Sequence, residues 1–345
     1  MIAVAPQRRA AEGVAVLGLE PLVGVAATLA GGTQAEAAAT AARLLAAPPP
    51  GGAIPRTRST LNNDGSPLQV CLTAATGGAG VRLLADPGSH ATSPPERVAI
   101  ARETLARLLA QPGHESLRDR CEALLDAVTP GPLEAEPAAL NGVLWLGAPI
   151  RGAGLAVYVK ASWRSPAEDW DRCAELVERL LPDPAGARAL IERLRGQARP
   201  VSAGLELSSR GGRLKLYWRL GAEVPLAAAG VDLLADASLR AFAHATIGER
   251  RVAAQGLVPS AGFSLESGAL CDAKLDICGH CVPRAPRDWS ELIASLSAAH
   301  QLDAPPLDEV LRAGRAEVAF LGFGLDRAAG PRLNVYLKRA TRGDR

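Results

Sequence analysis

Four residues at near-equal spacing, each inside a strand-like stretch, constrain the fold of this chain most. They recur after 59, 59 and 60 residues: Tyr158 in LAVYVK, Tyr217 in RLKLYW, Asp276 in CDAKLDIC and Tyr336 in RLNVYLK. Regular self-similarity at such a period indicates a repeated supersecondary unit. The stretch GVRLLADPG gives a fifth, less exact copy, in which Arg82 takes the position of Lys215. The chain is therefore predicted to repeat one unit five times.

Each unit combines helical sequence with a hairpin. Helical stretches are predicted at 34–45, 95–127, 166–197, 231–248 and 288–313. Strands are predicted within 59–72 and at 81–84, 142–148, 155–162, 201–208, 213–220, 261–265, 273–278, 317–325 and 332–339. Strands that come in hairpins disfavour a doubly wound parallel sheet. The prediction is an α+β fold of five ααββ repeats: a closed ten-stranded antiparallel β-barrel with helices outside and a solvent-filled lumen.

The stretch 213–218 shows what would line that lumen. Arg213, Lys215 and Tyr217 share one face of the predicted strand, because successive side chains of a strand point to opposite faces. The intervening two leucines and one tryptophan form an apolar face that suits burial under a helix. Two cations and a phenol are a poor core unless an anion lies against them. This face is predicted to point into the lumen.

Composition excludes several classes of function. Across 345 residues, 38 Lys and Arg against 36 Asp and Glu give a net charge of +2, too small for a general nucleic-acid binder. Six cysteines without a recognisable signal peptide predict reduced thiols and a cytoplasmic protein. The apolar stretch 14–30 is interrupted by Glu20, Pro21 and glycines, so no membrane association is expected. The predicted domains are an N-terminal helical extension, 1–55, packed on a single barrel domain, 56–345, in a monomer or homodimer.

The residues predicted to face the lumen combine cations with phenols. The cations are Arg82, Arg213, Lys215 and Lys274, and the phenols are Tyr158, Tyr217 and Tyr336. Converging Arg and Lys side chains are typical of phosphate or diphosphate sites. Tyrosine rings stabilise a cation by roughly 0.5–2 kcal/mol each. A diphosphate beside a carbocation is what allylic prenyl transfer requires; the alternative is that these residues are ordinary barrel residues held in ion pairs.

An ordered set of motifs resembles the dimethylallyltryptophan-synthase-type aromatic prenyltransferases, whose barrel is built from five ααββ units. The motifs are Asp64-Gly65-Ser66-Pro67-Leu68-Gln69, then Arg82, then Arg213-x-Lys215-x-Tyr217, then Tyr336. The resemblance implies that the four cations bind the diphosphate of dimethylallyl diphosphate and that the three tyrosines shield the allylic cation from water. It also implies that an indole attacks that cation in a Friedel–Crafts step. The backbone of Leu61 would contact the acceptor.

Three departures from the family pattern bear on chemistry. Gln69 stands where the family has a Glu that accepts the indole N–H, and an amide accepts that bond but is no base near neutral pH. Ala156 stands where a Lys is expected, which leaves space for a longer prenyl donor unless Lys160 compensates. Asp276 stands where a Tyr is expected, and it either binds an acceptor amine, acts as the base or pairs with Lys274. Gln69 and Asp276 are therefore the candidate catalytic residues.

The leading hypothesis is an aromatic prenyltransferase that joins a prenyl diphosphate donor to a small aromatic acceptor, tryptophan or a tryptophan-derived indole. No cofactor is expected to be required, because the cations neutralise the diphosphate directly, with Mg²⁺ at most stimulatory. A second hypothesis, motivated by Gln69, is a phenol, tyrosine or peptide acceptor. A third is a non-catalytic barrel that binds an anionic ligand. Cys278-Gly-His-Cys281 resembles a redox motif, but its position at a strand end favours a turn with free thiols over redox catalysis or zinc.

Overall fold

The barrel is closed and every neighbouring pair of strands is antiparallel. The computed structural model describes residues 17–46, 57–111, 114, 117–208, 211–221, 236–248, 252, 256–304 and 307–340. The strands are β1 (Leu68–Ala75), β2 (Gly78–Ala85), β3 (Leu144–Pro149), β4 (Leu155–Lys160), β5 (Ala198–Ser208), β6 (Gly211–Leu220), β7 (Leu257–Ser264), β8 (Leu270–Cys278), β9 (Ala316–Asp326) and β10 (Gly330–Arg339). Sequential strands are neighbours, and β1 pairs with β10 to close the ring. The predicted ten-stranded barrel is confirmed.

Two strands begin before their predicted starts, and each contains a proline. β5 begins at Ala198 and contains Pro200, where its pairing with β6 becomes irregular. β7 begins at Leu257 and contains Pro259, which faces Leu275 of β8. Proline lacks the N–H that a sheet ladder uses, yet both prolines lie inside strands, so the predicted starts at 201 and 261 were wrong.

The helices lie between hairpins, as the repeat predicted. They are α1 (Glu20–Leu29), α2 (Gln34–Leu44), α3 (Pro94–Leu109), α4 (Arg118–Val128), α5 (Pro166–Leu180), α6 (Ala185–Leu194), α7 (Ala237–Ile247), α8 (Pro286–Ala299) and α9 (Asp308–Arg312). The first, second, third and fifth units have the order ααββ. The fourth has one described helix, α7, and residues 222–235 lie outside the described part of the chain. Pro112 and Gly113, a sequence that predicts a break within the helical stretch 95–127, also lie outside it.

Helix starts follow recognisable sequence signals. α3, α5 and α8 each begin with a proline. Proline is tolerated in the first turn of a helix because the backbone N–H that it lacks would have no partner within the helix there. Thr33 and Ser165 form capping boxes with Glu36 and Glu168 at the starts of α2 and α5. The sequence analysis missed α1, although Pro21 near its start is the same signal.

The apolar face of each strand packs under the helices. On β6, Leu214 and Trp218 are fully buried in a core that also contains Leu22 of α1 and Leu44 of α2. Because α1 and α2 contact β1 and β2, the N-terminal helices share the barrel's core. The division at residue 55 stays a prediction, since 47–56 lie outside the described residues.

The remaining predictions concern membranes and cysteines. Among the described residues, every helix is too short or too polar to span a bilayer. Cys278 ends β8, and Gly279–Cys281 form a short 3-10 turn with both thiols free. Burial raises the pKa of the Cys278 thiol to about 12, the opposite of the change that a redox thiol needs. The described residues contain no group of side chains suited to a metal ion.

Candidate active site

Polar side chains from strands that are not neighbours meet inside the barrel. Arg213 of β6 donates to Asp326 of β9 at 3.2 Å, although β7 and β8 lie between those strands. Lys274 of β8 likewise donates to the hydroxyl of Tyr336 on β10 at 2.7 Å. Such contacts are possible only across the interior, so this face of each strand lines a lumen.

The three predicted phenols form one cluster in that lumen. Tyr158 and Tyr217 meet edge to face, with ring centroids 5.8 Å apart. Tyr336 belongs to the same cluster and meets Phe320 edge to face at 6.0 Å. The cluster is separate from the core beneath the helices. Three electron-rich rings therefore border one interior space.

Two of the four predicted cations, the lysines, lie against these rings. The Lys215 ammonium lies 5.3 Å from the Tyr217 centroid, and the Lys274 ammonium lies 5.6 Å from Tyr217 and 5.0 Å from Tyr336. Both lysines are buried, whereas Arg82 and Arg213 keep 24% and 25% of their side-chain area accessible. That exposure inside a closed barrel leaves room beside the guanidinium groups for an anion.

Carboxylates that the sequence analysis missed lie among the cations. Asp272 pairs with Lys215 at 2.9 Å and with Arg332, a fifth interior cation. Glu206 binds Arg213 through two nitrogens and accepts a hydrogen bond from Tyr158. Alternation in the strand sequences, ARPVSAGLELS and LCDAKLDIC, places both carboxylates on the cationic face and was an available signal.

Burial and charge pull the pKa values in this array in different directions. Burial lowers the pKa of Lys215 to about 8, against the opposing attraction of Asp272 and Glu206. Burial would raise the pKa of Asp272, but Lys215, Arg332 and Arg213 outweigh it and hold it well below its ordinary value. The Asp272 and Glu206 carboxylates are therefore ionised at neutral pH. Lys215 is mostly charged at that pH, but a modest rise in pH removes its charge.

Interior glycines allow the larger side chains to lie flat against the wall. A side chain at Gly204 of β5 would overlap the ring of Tyr158, its neighbour on β4. Gly322 of β9 bears the same relation to the Asp276 carboxylate on β8. Without these glycines the tyrosine and the aspartate would be pushed toward the axis. Small residues thus lie beside large ones along the interior wall.

A hydrogen-bonded turn positions Gln69 and Leu61 at the end of the barrel where the helices attach. The Asn62 amide nitrogen donates to the carbonyls of Ser66 and Leu68, so its oxygen is left to accept from the Gln69 amide at 2.8 Å. This fixes the orientation of Gln69 and leaves its oxygen as an acceptor. The Leu61 N–H is used by Ser59, so only its carbonyl remains, 3.5 Å from the Gln69 nitrogen.

A buried ion pair anchors that turn. Asp86 accepts from Ser59 and from Arg97, each at 2.5 Å, and both charged residues are almost wholly buried. Burial raises the pKa of Asp86 to about 6, while Arg97 opposes the rise. Removing Arg97 would leave the buried negative charge of Asp86 without its ion-pair partner, which is strongly destabilising. The geometry of the turn therefore depends on this pair.

Asp276 pairs with Lys274 at 2.5 Å, one of the alternatives that the sequence left open. Its other oxygen, Oδ1, is buried and makes no hydrogen bond to any residue that the structure describes. The carboxylate thus has one neutralised oxygen and one uncommitted oxygen.

The space beside Ala156 is occupied by its neighbours. Glu206 lies directly opposite on β5 and meets Tyr158 and Arg82 there. Lys160 does not compensate for the missing lysine, because its ammonium lies 4.5 Å from the Trp163 centroid and donates to the Ala138 carbonyl.

Comparisons with known proteins identify the fold. Neither a model of a known protein family nor a curated protein matches the chain in sequence. Among solved structures, 5-dimethylallyltryptophan synthase from Streptomyces coelicolor is 18% identical with a TM-score of 0.73, covering 92% of this chain and 93% of that one. 6-Dimethylallyltryptophan synthase from Micromonospora olivasterospora is 18% identical with a TM-score of 0.71, covering 94% and 98%. The apo form of prenyltransferase PriB is 18% identical with a TM-score of 0.72, covering 93% and 95%.

At these identities the likeness defines the fold, and it extends over nearly the whole chain. This protein has the barrel fold of the dimethylallyltryptophan-synthase-type prenyltransferases, as its motifs predicted. The first of these structures holds DMASPP and Trp, and so does the second.

The close approach of Tyr158 to Gly204 gives a prediction about the site's construction. Gly204→Ala should lower the free energy of unfolding by about 1–3 kcal/mol, because the added methyl group overlaps the tyrosine ring. Urea unfolding measures this loss, and a crystal structure of the variant should show the ring moved toward the axis. Gly186→Ala in α6, where nothing lies within 4 Å, is the control and should not destabilise the protein. Equal stability of the two variants would contradict the packing described here.

Proposed function

We propose that this protein is an aromatic prenyltransferase that transfers a dimethylallyl group from dimethylallyl diphosphate to an indole acceptor, tryptophan or a tryptophan-derived compound. The observation that carries the proposal is the direct contact between the buried lysines and the tyrosine rings inside a closed lumen. Cations can hold a diphosphate on one side while the rings face a carbocation on the other. The complexes of the structural neighbours with DMASPP and Trp support the same pair of substrates.

In the proposed reaction, the residues bind and shield but form no covalent bond. Arg82, Arg213, Lys215 and Lys274 bind the diphosphate, and they stabilise the negative charge that develops as the allylic carbon–oxygen bond breaks. Tyr158, Tyr217 and Tyr336 surround the allylic cation and exclude water, which would otherwise hydrolyse it. An aromatic carbon then attacks the cation, and loss of its proton restores aromaticity.

Two residues would act on the acceptor. The oriented Gln69 oxygen accepts the acceptor's N–H, beside the Leu61 carbonyl. Asp276 would remove the ring proton with its carboxylate, whose charge Lys274 balances. We further propose that no metal is required, because arginine and lysine neutralise the diphosphate directly, with Mg²⁺ at most stimulatory.

Product analysis tests the reaction. The protein is incubated with dimethylallyl diphosphate and tryptophan, tyrosine, indole-containing peptides or simple phenols, each with and without a chelator. Prenylated tryptophan or another indole, formed equally with the chelator, is the expected result. Products from phenols or tyrosine alone would favour the second acceptor class, which Gln69 motivates. Donor binding without any product would favour the anion-binding barrel, and chelator-sensitive turnover would contradict metal independence.

Lys215 and Tyr217 are expected to have separable roles. Lys215→Ala should weaken donor binding by about tenfold or more, because it removes a buried ammonium from the diphosphate site. Tyr217→Phe keeps the ring but loses the hydroxyl, so donor binding should stay within about threefold while kcat falls. Calorimetry with donor and steady-state kinetics measure the two effects. Arg188→Ala on the outer helix α6 is the control, and negligible effects of both interior variants would place the site elsewhere.

The lowered pKa of Lys215 predicts pH-dependent donor binding. Lys215 is cationic below about pH 8 and loses its charge as the pH rises through that value. The affinity for unreactive dimethylallyl thiolodiphosphate should therefore fall by roughly threefold or more between pH 7 and 9. Lys215→Arg stays charged over this range and should flatten the profile. Parallel declines in the two proteins would assign the titration to another group.

A further inference from the structure

Glu206 lies where the cations of the proposed donor site converge. Its Oε2 accepts hydrogen bonds from two nitrogens of Arg213, from Nε at 2.8 Å and from Nη2 at 2.7 Å. Its Oε1 accepts a hydrogen bond from the Tyr158 hydroxyl and lies 3.8 Å from Nη1 of Arg82. One carboxylate thus contacts both arginines predicted to bind the donor, and its residue is only 7% exposed.

Small residues on the intervening strands allow this contact. Arg82 is on β2 and Glu206 is on β5, so the two meet across β3 and β4. The row of partners from Glu206 runs through Ala156 and Gly147 to Leu84 of β2, two residues along that strand from Arg82. A lysine at position 156 would place a cation beside Glu206. Because Ala156 carries no charge, Arg82 and Arg213 balance the charge of the Glu206 carboxylate.

Glu206 stays ionised in this setting. Burial would raise its pKa, but the charges of Lys215, Arg213 and Arg82 hold that pKa well below the ordinary value for glutamate. An anionic ligand that binds the same guanidinium groups therefore meets a fixed negative charge at close range. In a partly buried chamber such repulsion is only weakly screened.

The interior array as a whole is close to neutral. Its described cations are Arg82, Arg213, Lys215, Lys274 and Arg332, and its described carboxylates are Glu206, Asp272, Asp276 and Asp326. An excess of one positive charge is small for a chamber that receives a multiply charged diphosphate. Glu206 is the carboxylate that shares both arginines with the ligand.

We infer that Glu206 is an internal counter-anion that competes with diphosphate for Arg82 and Arg213 and thereby sets the affinity for the donor. The inference rests on the proposed function for the identity of the donor. Before the donor binds, Glu206 keeps the two guanidinium groups apart and oriented. Once the diphosphate is bound, the negative charge of Glu206 weakens its binding to those groups. Since it opposes donor and product alike, it changes KM rather than kcat.

Calorimetric titration of the full chain with inorganic pyrophosphate tests this inference. Glu206→Gln removes the charge at nearly constant shape, and it should bind pyrophosphate about tenfold or more tightly than the unaltered protein, about 1.4 kcal/mol. Glu206→Asp keeps the charge and should stay within about threefold. Unchanged or weaker binding by Glu206→Gln would overturn the inference, as would equal tightening by both variants, because the effect would then arise from shape.

A control and a second variant complete the test. Glu178→Gln changes the net charge equally, but on the outer helix α5, where Glu178 pairs with Arg188 at 3.0 Å; its pyrophosphate affinity should not change. If Glu206→Gln fails to fold, as shown by the loss of a cooperative unfolding transition, the titration is made with Asp326→Asn instead. Asp326 pairs with Arg213 at the partly exposed edge of the array. That variant should tighten binding by about threefold, and no tightening would overturn the inference.

The test separates this inference from the proposed function. Tighter pyrophosphate binding by Glu206→Gln without product from any acceptor would retain the counter-anion and reject the prenyl transfer. Where turnover is observed, the same variant should lower the donor KM and leave kcat no higher than that of the unaltered protein. Turnover with a donor KM unaffected by Glu206→Gln would retain the reaction and reject the counter-anion.

Discussion

The interlaced cations and carboxylates inside the barrel are the interaction on which the remaining structure depends. Buried ammonium and guanidinium groups would repel one another and avoid a low-dielectric interior, so each needs a partner. Asp272 neutralises Lys215, and Glu206 orders Arg213 and Arg82. A buried charge that loses its partner is strongly destabilising. The array therefore maintains a charged chamber before any ligand enters, and the ring of strands holds it in register.

The order of residues along the strands gives the lumen a direction. On β6, Arg213 lies nearest the hairpin end, Lys215 follows, and Tyr217 lies nearest the helix-linked end. The ion pairs of Arg213, Asp272 and Asp326 occupy the hairpin end, whereas Gln69 and Asp276 lie toward the helix-linked end. A donor aligned with this direction would place its diphosphate among the cations and its prenyl group among the rings. The acceptor would then approach from the turn that carries Leu61.

Local sequence predicted the barrel and the facing of its residues, because strand alternation and a repeat near 59 residues depend on the chain alone. It could not predict which interior charges pair. Arg213 meets Asp326 across 113 positions, and Arg82 meets Glu206 over two intervening strands. Those pairings depend on the stagger of the closed barrel. The space expected beside Ala156 for a longer donor was likewise filled by a residue distant in sequence, Glu206.

The pairing of Asn62 with Gln69 has a consequence for proton removal. Asn62 commits its amide nitrogen to two backbone carbonyls, so it presents an oxygen to position 69. A glutamate there would place a carboxylate against that oxygen, whereas the glutamine donates to it; the two residues are matched. In the proposed reaction an amide cannot take the ring proton, so that step would fall to another lumen group. Asp276 is the carboxylate proposed for it, because it lies toward the same helix-linked end as Gln69 and Lys274 balances its charge.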